Sequence, residues 1–114
     1  MVDVVILSEN QHVQKSLTIL LETEEKIRIF SRDMDHDGAL KALEHLDRMV
    51  VLLDTGLVTS EKLLDEFSDK HKFILYSRSK EEQDINNWIS RYRVNYFNVY
   101  TNPECIIDLI KKDR

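Results

Sequence analysis

Apolar and polar positions follow two rhythms along this chain. Short apolar runs at 2–7, 27–30, 49–53, 73–76 and 94–100 have the length and the β-branched or aromatic content of strands. Between them the spacing changes to that of helices. Val13, Leu17, Leu20 and Leu21 fall at i, i+4, i+7 and i+8, and Ile85, Trp88, Ile89 and Tyr92 at i, i+3, i+4 and i+7, each set forming one apolar stripe. Every strand-like run is followed by a helix-like stretch. Such alternation predicts an α/β architecture in which a parallel sheet is covered by helices on both faces through right-handed crossovers.

Local signals sharpen the boundaries. Ser79 to Glu82 reads as a capping box opening the fourth helix, and Ser60 as the N-cap of the helix carrying Leu63, Leu64 and Phe67. Gly38, Gly56 and Pro103 are the only strong breakers, so no linker is expected and residues 1–114 are read as one domain. At 114 residues with 42% hydrophobic content the chain can build a single core.

Composition excludes several roles. A formal net charge of −5 with interspersed signs lacks the basic patch of a nucleic-acid-binding surface. No apolar run spans a bilayer and no basic segment precedes the first strand, so neither membrane insertion nor a secretory signal is expected, and the location expected is cytoplasmic. The single cysteine, Cys105, beside Ile106 and Ile107, is read as a core residue. His12, His36, His45 and His71 are scattered without ligand spacing and are read as surface residues rather than a zinc site.

The third apolar run, Met49 to Leu53, ends on Asp54. In open parallel sheets ligands bind beyond the carboxyl ends of the strands, where Asp54 would stand. The alternatives are a solvated loop acid and an N-cap for the following segment. Other polar residues fall at comparable places: Ser8 and Glu9 after the first strand, Ser77 after Leu75-Tyr76, and Asn102 before Pro103.

The order and spacing of these pieces resemble the receiver domain of bacterial response regulators over essentially the whole chain. No single piece is specific. The resemblance implies a flavodoxin-like (βα)5 fold with sheet order 2-1-3-4-5. It implies Asp54 as phosphoacceptor, Glu9 as the second of two acids, and Ser77 as a hydroxyl bonding a phosphoryl oxygen. Mg²⁺ would be held by Glu9, Asp54 and the backbone carbonyl of Gly56. The stretch from Asp37 to Leu43 would be the family's second helix.

The departures are specific too. Ser8 replaces one of the two acids and removes a negative charge from the cation site. Asn102 stands where the family has a lysine, and an amide offers hydrogen bonds without charge. Arg78, after Ser77, either covers the acceptor or replaces the lost cation, and occlusion is favoured. The family's aromatic or threonine switch position falls on Val99, with Tyr100 beside it. Asn102-Pro103 reads either as an N-cap with proline at N1 or as a cis bond, and the family favours cis.

A competing signal runs from Asp33 to Glu44. Asp33, Asp35, Asp37 and Glu44, with Gly38 at the turn, fit the twelve-residue EF-hand calcium loop. The preceding Ile27 to Phe30 reads as a strand rather than an entering helix, and no second loop pairs with it, so a polar βα loop with Asp37 as cap is the plainer reading.

Taken together, the expectation is a non-enzymatic signalling domain that receives a phosphoryl group from a histidine kinase at an incomplete site. The alternative is a phosphorylation-independent interaction or dimerisation module, with calcium binding third. A metabolic flavodoxin-like enzyme ranks below these because no glycine-rich phosphate loop follows the first strand. Trp88 and Tyr92 on the fourth helix and Tyr96 and Tyr100 on the last strand read as core or, on the face such domains use, as partner contacts, including those of a homodimer through the last helices and strand.

Overall fold

The computed structural model describes residues 2–8, 11–29, 36–45, 47–55, 62–77, 83–92, 94–98 and 102–112. Strands and helices alternate: β1 (Val2–Leu7), α1 (Gln11–Glu22), β2 (Ile27–Ile29), α2 (His36–His45), β3 (Val50–Asp54), α3 (Lys62–Phe67), β4 (Lys72–Ser77), α4 (Gln83–Tyr92), β5 (Asn95–Asn98) and α5 (Pro103–Lys111). The strands form one parallel sheet of order β2-β1-β3-β4-β5. This is the α/β flavodoxin-like arrangement expected from the sequence.

The sheet divides the core because successive residues of a strand point to opposite faces. Val4, Ile6, Val50, Leu52, Ile74, Tyr76 and Phe97 pack on one side with Leu17 and Leu21 of α1 and Ile106 and Ile110 of α5. Val5, Leu7, Val51, Leu53, Phe73 and Leu75 pack on the other with Leu43 of α2 and Leu64 and Phe67 of α3. A strand buried on both faces has no polar alternation, which is why β3 is apolar from Val50 to Leu53 and wholly buried. Each such side chain contributes about 1.5–3 kcal/mol by leaving water.

The two helical stripes face inward as their spacing predicts. Leu17 and Leu21 are buried, with Val13 and Leu20 packed beside them, while Trp88, Ile89 and Tyr92 lie half-buried against the second cluster. Strand bounds shift slightly: β3 starts one residue later than expected and includes Asp54, β4 runs 72–77, and β5 starts at Asn95, one residue later than expected. The caps expected at Ser60 and Ser79–Glu82 lie outside the described residues.

Three expectations need correction. Cys105 is exposed, because α5 directs Ile106 and Ile110 inward and its cysteine falls off that stripe. His71 is fully buried rather than at the surface: its Nδ1 accepts the Met49 N–H at 3.1 Å and its Nε2 lies 2.8 Å from the Leu43 carbonyl, so both ring nitrogens are satisfied without water. The Asn102–Pro103 bond is trans, with Pro103 opening α5 as its first residue. Proline suits that position because the amide hydrogen it lacks would have no helical partner there.

Candidate functional site

The carboxyl ends of β1 and β3 bring Ser8 and Asp54 together. β1 pairs β3 up to Leu7↔Leu53, so the next residue of each strand emerges at the same edge of the sheet. There the Ser8 hydroxyl donates to Asp54 Oδ2 across 3.3 Å. Asp54 is only 4% exposed although it ends its strand. Burying a carboxylate is costly unless it is hydrogen-bonded, and the neighbouring hydroxyl supplies one such bond.

The residue level with Asp54 on β4 is Tyr76 rather than Ser77. Tyr76 is fully buried, stacks on Phe97 of β5 at 5.5 Å and 17°, and directs its hydroxyl at the Leu7 carbonyl at 3.4 Å. It therefore braces the backbone just before Ser8 while lying beside Asp54 in the ladder. Sequence reasoning missed this residue. The available signal was parity: Ile74 and Tyr76 share a face with Leu52 and Asp54 once the register is set. Ser77 closes β4 one step further on, with its backbone paired to Asn98.

Asn102 is engaged elsewhere. Its Oδ1 accepts the Glu104 N–H at 2.9 Å and its carbonyl accepts the Cys105 N–H, so it caps α5. Its amide oxygen satisfies a helix end, the structural task open to it from the sequence.

Glu9, Gly56, Arg78, Val99 and Tyr100 lie outside the described residues, as do Asp33 and Asp35. Asp37, Gly38 and Glu44 all fall within helix α2. A calcium loop requires a sharp turn at that glycine, not helical backbone. Tyr96 of β5 is half-buried against the second core cluster, like Trp88 and Tyr92. The Tyr92 hydroxyl also donates to Asp65 at 2.6 Å, joining α4 to α3, and the Arg91 guanidinium lies 5.4 Å over its ring.

At the Asp54 edge the Ser8 hydroxyl is turned toward the carboxylate. A hard divalent cation takes about six oxygen ligands. Among the described residues no group of three acidic, histidine or cysteine side chains is placed to hold a metal. Glu9 and Gly56, the other ligands expected for Mg²⁺, lie outside the described residues.

No protein-family model matches the chain, and no curated protein does either. Solved structures do. The response regulatory domain of protein mrkE from Klebsiella pneumoniae superposes with a TM-score of 0.73 at 19% identity, over 96% of this chain and 92% of that one. A CheY-like response regulator receiver domain protein from Methanospirillum hungatei JF-1 gives a TM-score of 0.70 at 19% identity, over 95% and 90%. The chain thus has the fold of receiver domains along nearly its full length. No helix among the described residues is long and apolar enough to cross a membrane.

Proposed function

We infer that this chain is a receiver-like signalling domain of a two-component phosphorelay that works through protein contacts, with Asp54 at the phosphoacceptor position. The observation that carries the inference is the placement of a buried Asp54 at the carboxyl end of the middle strand of a 2-1-3-4-5 sheet. The chemistry is an exchange of one bond. An Asp54 carboxylate oxygen attacks the phosphorus of a phosphohistidine on a kinase, and the phosphorus–nitrogen bond breaks with its electron pair returning to the imidazole. Water later attacks the acyl phosphate, releasing phosphate and restoring the carboxylate. No side chain of this domain is consumed.

Such transfer needs the repelling negative charges offset. Mg²⁺ would draw on Glu9 and the Gly56 carbonyl in addition to Asp54, and Arg78 is the cation nearest in sequence to Ser77. The partner is a histidine kinase or another signalling protein, met in the cytoplasm, and the α4–β5–α5 side is the proposed surface for it or for a second copy.

A second reading has its own support. Ser8 in place of an acid and Asn102 turned to capping α5 favour a domain recognised without phosphorylation. Incubation with acetyl phosphate and Mg²⁺, followed by intact-mass measurement, separates the two. A single phosphoryl adduct on the wild type, absent from Asp54→Asn, supports the phosphoacceptor. An unlabelled chain that also stays unlabelled with phosphorylated histidine kinases favours the phosphorylation-independent module.

A further inference from the structure

The edge of the sheet opposite Asp54 carries a concentration of positive charge for which phosphoryl transfer has no use. A cleft of about 650 Å³ opens at the amino ends of β1, β3 and β4, beside the last turn of α5. Its aliphatic lining comes from Val2, Val50 and Ile110. Five cationic and two anionic side chains also line it, in a chain whose net charge is −5.

Three of those cations have structural tasks. The Lys72 ammonium donates to the Leu109 and Lys112 carbonyls at the end of α5, and Lys70 to the Glu44 carbonyl at the end of α2. Both neutralise helix C-termini. Lys111 pairs with Glu24 at 2.8 Å. Arg48 and Lys112 differ: both are exposed, and neither side chain bonds a described residue.

Arg48 also has a backbone φ of 60°, the left-handed region, which is strained for a residue with a Cβ. The chain holds it there firmly. The Arg48 N–H donates to the Lys70 carbonyl at 3.2 Å, the next N–H, that of Met49, donates to buried His71, and the Met49 carbonyl accepts the Lys72 N–H at 2.9 Å. An exposed arginine that lines the cleft is thus held by a strained backbone whose hydrogen bonds are made at Arg48 and Met49. That is pre-organisation of a kind that binding sites use.

We propose that this cleft binds a small phosphate-bearing polyanion, a nucleoside polyphosphate or an inorganic polyphosphate, with Arg48 and Lys112 contacting the phosphates. The planar guanidinium of Arg48 matches phosphate oxygens in pairs, and Lys112, which lines the same cleft, adds a point charge. A concave site with aliphatic side chains and a cationic rim suits a compact anion better than the flat face of an acidic protein. β3 runs from Val50 at the cleft to Asp54 at the far edge, about 13 Å along the strand. The site is separate from Asp54 and independent of the receiver reading.

Isothermal calorimetry on the full chain at low salt, with ATP and with tripolyphosphate, tests it. At least one anion saturates with a dissociation constant below about 1 mM. Tighter binding of ATP identifies a nucleotide site that uses the aliphatic lining, and equal binding identifies a polyphosphate site. Arg48→Gly, which suits the left-handed backbone, and Lys112→Gln each weaken binding about tenfold, and Asp54→Asn leaves it unchanged. The proposal is overturned if neither anion saturates at millimolar concentration, or if Arg48→Gly and Lys112→Gln, both folded by circular dichroism, bind as the wild type does.

Discussion

The Ser8 hydroxyl donates to Asp54 Oδ2 across 3.3 Å, joining the carboxyl ends of two neighbouring strands at a buried carboxylate. Replacing that hydroxyl by a second carboxylate has two opposed effects. Ser8→Asp sets like charges side by side and should destabilise the metal-free fold by about 1–3 kcal/mol. It also adds an anionic ligand, so added Mg²⁺ should recover much of the loss by binding the folded state. Thermal melts in EDTA and in Mg²⁺ read both effects. If the wild type responds to Mg²⁺ as strongly as Ser8→Asp, the residue at position 8 does not set Mg²⁺ affinity.

Asn102 caps α5, and on the receiver reading it also stands at the family's lysine position, so a single substitution reads both roles. Asn102→Lys should cost about 1 kcal/mol, because the Glu104 N–H loses the side-chain acceptor that holds it at 2.9 Å. On the receiver reading the same change speeds acetyl-phosphate labelling of Asp54, since it supplies the missing positive charge. Asn102→Ala has the stability loss alone. Urea unfolding beside a labelling time course distinguishes them, and equal labelling by all three chains would remove Asn102 from the account of the incomplete site.

What the sequence disclosed follows from how far apart the interacting residues lie. Continuous apolar runs and helical stripes are local, so strand number, helix faces and Asp54 at the end of β3 were all readable. Tyr76 was not, because its place beside Asp54 depends on a register between two strands that a one-residue slip would change. His71 was not, because its partners are Leu43 of α2 and Met49 just before β3, 28 and 22 residues away. Cys105 was misread since adjacent isoleucines suggest a core, whereas a helix turns only every third or fourth residue inward. At Asn102 two local readings competed, and the cap prevails because it satisfies an otherwise orphaned amide.

Burial should separate two residues of α1 that composition alone treats alike. Leu21 is fully buried against the sheet, while Ile19, two positions away, is 67% exposed. Leu21→Ala should cost about 2–5 kcal/mol through lost transfer energy and the cavity left behind. Ile19→Lys should change stability by no more than about 0.5 kcal/mol. Chemical denaturation of the two variants checks the placement of the helix, and a large loss on Ile19→Lys would mean that another surface covers that residue.

His71 makes the last prediction sharp because its tautomer is dictated by its neighbours. Met49 can only donate to Nδ1, so Nε2 carries the proton and donates to the Leu43 carbonyl at 2.8 Å. The ring lies with its centroid 6.2 Å from that of Phe67, so a phenylalanine fills similar space while making neither bond. His71→Phe therefore leaves a buried N–H and a buried carbonyl without those partners, at about 1–3 kcal/mol for each group left unsatisfied. The loss should be local as well as global. Met49 follows Arg48, so amide exchange at Met49 should accelerate by more than the fall in overall stability accounts for. Exchange at Leu52, in the middle of β3, should track overall stability alone. Unchanged Met49 protection in a destabilised His71→Phe would show that the ring supports the fold through packing rather than through its two nitrogens.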